Sequence, residues 1–144
     1  MKHKVSELTG GLLDAAVAKA NGRPFDINPI GDGLFCYIQT PYDDGSQINS
    51  GRTEWIYFGP SGLWKDGGPI IERERIAIEH GPTEDLANNL TWESAPKDRP
   101  WHAWVTIERP EGGGLRFPAF ATTPLIAAMR AYVCSKLGEE VELP

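Results

Sequence analysis

The stretch from Trp64 to Arg75 holds the densest set of groups able to do chemistry. Gly67 and Gly68 precede Pro69, and the spacing predicts one helical turn over Ile70-Ile71-Glu72-Arg73. Proline suits the first position of such a turn, because its missing amide would have no partner there. Two glycines ahead of a helical turn leave backbone amides pointing one way, which makes a seat for an anion. Arg73 and Arg75 add positive charge, Trp64 offers a ring for stacking, and Trp104 supplies a second ring from a strand further on. Trp64, Gly67, Gly68, Arg73, Arg75 and Trp104 are therefore the candidate ligand-binding residues, suited to a nucleotide-like or other small anionic ligand. The same stretch also reads as a tight turn with Trp64 lying on the core and Glu72 and Arg73 in surface pairs. A phosphate loop is excluded: Gly62 and Gly67 have its spacing, but Gly68-Pro69 stands where Lys-Ser/Thr is required.

The other reactive residue types form no catalytic set. Cys36, between Phe35 and Tyr37, reads as a small buried hydrophobe. Cys134 falls in the last turns of a helix, where the dipole disfavours a thiolate. His3, His80 and His102 are too far apart for metal-ligand spacing, and His102 reads as an ordinary surface histidine on the polar face of a strand. Asp43 to Glu54 has the length of a calcium loop, but Gly45 and Ile48 occupy positions that need a ligand and a turn glycine. No catalytic residue, metal ligand or cofactor is assigned. The chain reads as more a binding protein than an enzyme. A rival enzyme acting on a nucleotide or nucleic acid would require Glu72, Arg73 and His102 to converge within about 8 Å in one cleft. A third class is an oligomeric structural or assembly protein.

The balance of charge narrows the partners. The chain has 144 residues and a formal net charge of −6. Nucleic-acid backbones and anionic membranes both select clustered Lys and Arg, so both are poor partners. There is no secretory leader and no apolar run long enough to span a membrane. Two cysteines make no disulfide framework, and the expected location is a reducing cytoplasm. Sixteen glycines and twelve prolines disfavour a helical bundle and call for short elements and many turns.

Those elements can be placed. Thr9 is the expected N-cap of a helix carrying Leu12, Leu13, Ala16, Val17 and Ala20, with Asp14 and Lys19 on its outer side, ended by Asn21-Gly22. Pro24, Pro29, Gly31 and Gly33 predict an irregular stretch from 23 to 33. Strands follow at Leu34–Gln39 and Thr53–Phe58, with a polar loop between them, and a shorter one near Ile76-Ala77-Ile78. Residues 80 to 100 read as loop. Trp101 to Glu108 is the clearest strand, and Leu115 to Phe120 suits an edge strand because of Pro118. Thr123 caps a final helix with Pro124 at its first position and Gly138 after its end. Ile126, Met129, Val133 and Leu137 form its apolar stripe with Arg130 and Lys136 flanking, and Glu139-Glu140-Val141-Glu142 reads as an acidic tail. The expected fold is a single α+β domain over residues 1–144. Its small antiparallel sheet has three to four strands, with the N-terminal and C-terminal helices packed on one face.

Three segments carry a family resemblance: Ser6-Glu7-Leu8-Thr9-Gly10 with Leu13-Asp14, Trp64 to Ile76, and Thr123 to Gly138. The runs Gly-Gly-Pro-Ile-Ile-Glu-Arg and Thr-Pro-Leu-Ile-Ala-Ala-Met-Arg are the most specific. Together they resemble the NinX-like family of small bacteriophage and prophage proteins of unknown function. The family pattern has an acidic residue before the tryptophan, where this chain has Leu63. The resemblance implies a phage or prophage origin and a place in the bacterial host cytoplasm. Taken with the acidic charge and the lack of a catalytic set, it makes a non-catalytic accessory protein the expectation, with a host protein or a small anionic ligand as partner.

Overall fold

The structure, a computed structural model, describes residues 1–41, 51–81 and 98–144. Most of the loops expected over 41–51 and 80–100, including the turn expected at Asp43 to Ser46, lie outside the described residues. The chain is mixed α and β, as the order of the expected helices and strands predicts. The strands, however, form two small sheets and a ribbon. Strands β2 (Phe25–Ile30), β3 (Gly33–Pro41) and β4 (Thr53–Tyr57) make one antiparallel meander. Strands β5 (Ala77–His80), β6 (Trp101–Glu108) and β7 (Gly114–Ala121) make the second. Strand β1 (Lys2–Lys4) pairs with β8 (Glu140–Glu142).

Helix α1 (Gly10–Ala20) packs on β3 and β2, helix α3 (Pro124–Leu137) packs on β5, β6 and β7, and the two helices pack on each other. Each three-stranded meander thus has its own helix to cover its apolar face. Leu13, Val17, Met129, Tyr132 and Val133 are buried where the helices meet. Arg130, expected on the flank of α3, is buried as well. Its Nε donates to the Leu8 carbonyl at 3.0 Å and one terminal nitrogen to the Phe120 carbonyl at 2.7 Å.

Residues 25 to 30 are regular, contrary to expectation. Pro29 is tolerated because β2 is an edge strand. Gly31, at φ +62°, opens a two-residue hairpin whose flanking pair is Ile30 and Gly33. The acidic tail is also a strand: Glu140 and Glu142 are exposed while Val141 between them is buried. The α3 boundaries are as predicted, with the Thr123 hydroxyl accepting from the Ile126 amide at 3.2 Å. Thr9 sits at the α1 N-cap without a side-chain bond to the helix.

The largest departure is helix α2, which runs from Trp64 to Glu74 and so contains both glycines and Pro69. Gly67 explains its own presence. A methyl group there would stand 2.6 Å from the Pro60 carbonyl oxygen and 2.8 Å from Leu125, so only glycine lets α2 lie this close to its neighbours. Beyond its chain neighbours Gly68 has open space around it. Gly68→Ala is expected to change stability by less than about 1 kcal/mol, because the helix-propensity gain is opposed by the crowding of a Cβ against the ring of Pro69. Gly67→Ala should destabilise it by about 1–3 kcal/mol through overpacking. Urea unfolding of both variants tests this, and equal effects would refute the packing account.

Candidate functional site

Helix α2 separates the residues that its sequence groups together. Trp64, at its start, is 56% exposed and lines a shallow hollow of about 200 Å³ with Ser61, Gly62, Thr123, Pro124 and Leu125. Arg73 lies nine positions later, about 13 Å along the helix axis. The amides ahead of Pro69 do not form the expected seat, because Gly67 donates to the Leu63 carbonyl at 2.9 Å as part of the helix. Arg75 closes α2 with φ +52°, a left-handed residue that lets Ile76 donate back to the Ile71 carbonyl. Trp104 belongs to the second sheet, opposite Ala77 and Pro118, with the Arg116 guanidinium 5.4 Å from its ring centre.

Arg73 is held in a built environment. One terminal nitrogen donates to Asn21 Oδ1 at 3.1 Å and to the Tyr132 hydroxyl at 3.2 Å, and its Nε lies 3.2 Å from Glu74. Tyr132 in turn donates to Asn21 Oδ1 at 2.6 Å. Lys136, one turn beyond Tyr132 on α3, reaches Glu74 at 3.7 Å and sits 6.0 Å from the Tyr132 ring centre. These residues, with Ala20 and Arg23, line a cleft of about 390 Å³ between the end of α1, the end of α2 and α3. Three cations against one carboxylate make it a positive site on a negative chain. Asn21 read only as a helix end, and Tyr132 only as part of a helix. The i, i+4 spacing of Tyr132 and Lys136 was the signal available for them.

The second cleft lies on the other side of α1. It encloses about 500 Å³ between the start of that helix and strands β3 and β4. Asp14 on its wall is 3% exposed, and its Oδ1 accepts from the Ser61 amide at 2.8 Å. Burial pushes its carboxyl up to about 6, against the lowering effect of the Ser61 hydrogen bonds and with Asp66 adding repulsion. Asp66 itself accepts from the Gly59 amide at 2.9 Å. The two carboxylates thus pin the turn from Gly59 to Ser61.

Neither cleft nor the hollow at Trp64 brings Glu72, Arg73 and His102 together. Glu72 is on the exposed side of α2. His102, expected at the surface, is 3% exposed, stacked on Phe120 at 4.6 Å and beside Trp104 at 4.9 Å. The start of β6 is covered on both faces, so its alternation did not mark a solvent side. Burial raises the Cys36 thiol to about 12, and burial with Glu139 raises Cys134 to about 11, which disfavours either as a nucleophile. Among the described residues no group of three His, Cys, Asp or Glu could hold a metal ion, and no helix is long and apolar enough to cross a membrane.

The segments that carried the resemblance fall on α1, α2 and α3, the three helices that frame these clefts. Residues 4–136 match the family described as Bacteriophage P22, NinX. The chain belongs to the NinX family. The match runs through both meanders and the three helices, while β8 and most of β1 lie beyond it. No curated protein matches the chain. NinX membership makes this a phage protein and suggests an accessory role.

Proposed function

We propose that the chain is a non-catalytic accessory protein acting in the cytoplasm of the bacterial host, where it binds a small anionic ligand in the cleft lined by Arg23, Arg73 and Lys136. The carrying observation is the Arg73 guanidinium, fixed by Asn21 and the Tyr132 hydroxyl beside two further cations. With its Nε and one terminal nitrogen bonded, the guanidinium offers its other terminal nitrogen to a phosphate or carboxylate, and being already held in place it loses little side-chain freedom on binding. Of the other sequence candidates, Trp64, Gly67, Gly68, Arg75 and Trp104 lie outside this cleft, and Trp64 and Trp104 are kept as contacts for a larger partner.

Calorimetric titration with inorganic phosphate and with nucleoside mono-, di- and triphosphates tests the reading. Binding in the micromolar to millimolar range is expected. Arg73→Gln should weaken it about 10- to 100-fold, the value of one charge-assisted hydrogen-bond set. No heat from any of these ligands at 10 mM would sink the proposal.

A host-protein partner is favoured by a different observation. Every residue of β4 is exposed, including Trp55, Ile56 and Tyr57, and β4 is an edge strand. An extended segment of a host protein could add to that edge and cover Trp55. Trp55→Glu would then abolish capture of that host protein and leave phosphate binding unchanged.

A further inference from the structure

The Asp14 cleft has no part in that reading, and its lining is of opposite character. Its charged groups are Asp14 and Asp32, its apolar wall is Leu34, Phe35 and Tyr57, and among the described residues no basic side chain lines it. No cation among the described residues pairs with Asp14. The titratable groups facing Asp14 are Asp66, Cys36 and Tyr57, none of them cationic. A carboxylate taken out of water without a counter-charge is costly, and a cation entering the cleft would offset that cost. The rings of Phe35 and Tyr57, with centroids 5.9 Å apart and planes 56° apart, both line the cleft, and aromatic rings attract such a cation.

We propose that this cleft binds an organic cation, a primary ammonium or guanidinium group on a short alkyl stem. The charged head sits against Asp14, with Asp32 as a second carboxylate, and the stem lies along Leu34 and Phe35. A free amine and the side chain of a partner's Lys or Arg share this chemistry.

The test is NMR of the full chain with ¹³C-labelled aspartate carboxyls, titrated at pH 7.5 with n-butylammonium, n-butylguanidinium, and blocked Lys and Arg tripeptides. The Asp14 signal is expected to move saturably in the millimolar range, and binding should weaken about tenfold at pH 5. Asp14→Asn, followed on the Asp32 carboxyl signal, should weaken binding at least tenfold and Asp32→Asn several-fold, while Arg73→Gln changes nothing. Response to the alkyl cations alone supports a free amine, and response to the tripeptides supports a partner side chain. No movement of Asp14 with any probe at 20 mM overturns the proposal, as does unchanged binding in Asp14→Asn. Should that variant not fold, unchanged binding in both Asp32→Asn and Phe35→Ala overturns it.

Discussion

Gly11→Ala is expected to cost 3 kcal/mol or more in urea unfolding, a large part of the 5–15 kcal/mol typical of a domain. A methyl group at Gly11 would meet the backbone of β3. It would lie 2.9 Å from the Phe35 amide nitrogen, 2.5 Å from the Leu34 carbonyl carbon, and closer still to the Leu34 oxygen. No rotamer change relieves a clash with backbone, so α1 must back away from β3. Leu13, Val17 and Cys36, all buried at that interface, would lose contact, adding cavity to strain. Gly10→Ala is the control. Gly10 has open space but φ +53°, so alanine there should cost only about 1 kcal/mol of backbone strain. Similar losses for the two variants would show that backbone conformation, and not the helix–strand contact, sets the requirement at Gly11.

Asp14→Asn should change the pH dependence of stability by about 2–3 kcal/mol. In the native protein the Asp14 carboxyl is raised to about 6 from an ordinary value of 3.8. The folded state therefore holds its proton more tightly than the unfolded chain does. That contribution is fully present below about pH 4 and is lost as pH rises through 6. The shift of about two units corresponds to about 3 kcal/mol. Asparagine does not titrate, and its oxygen can still accept from the Ser61 amide. The stability difference between variant and wild type should thus swing in favour of asparagine between pH 4 and pH 8. Melting or urea unfolding across that range measures it. A difference that stays flat with pH would mean that Asp14 ionises as an ordinary aspartate.

How much of this was legible follows from what each signal encodes. Capping and periodicity are local, so α3 and the end of α1 could be placed from Thr123, Pro124, Gly22 and Gly138 alone. Gly67-Gly68-Pro69 is a helix breaker by propensity, yet it lies inside α2. The decisive fact is the distance from Gly67 to Pro60 and Leu125, which no local pattern states. Val141 between two glutamates did carry a strand signal, but the surrounding charge masked it. Arg73 was readable as a binding residue by type. Its companions Asn21, Tyr132 and Lys136 come from two other helices, and only the packing of α1, α2 and α3 brings them together. Asp14 was hidden most deeply, being a charged residue on an amphipathic helix that read as outward-facing. Its burial depends on the Gly59–Ser61 turn reaching back across 47 positions.

The ribbon of β1 and β8 bears on the order in which the protein assembles. The two meanders are built from strands that follow one another along the chain and can pair as soon as they are made. The bond from the Met1 amine to Glu142 instead closes a loop of 141 positions, and the entropy of that closure is paid before its contacts give anything back. Until β8 emerges, β1 waits with its edge unpaired and the neighbouring Val5 lacks the amide partner it finds at Glu139. The ribbon is therefore a late clasp. Changes to it should hasten unfolding more than they slow folding, and the exposed edge of β1 is where a half-made chain is most open to pairing with the wrong strand.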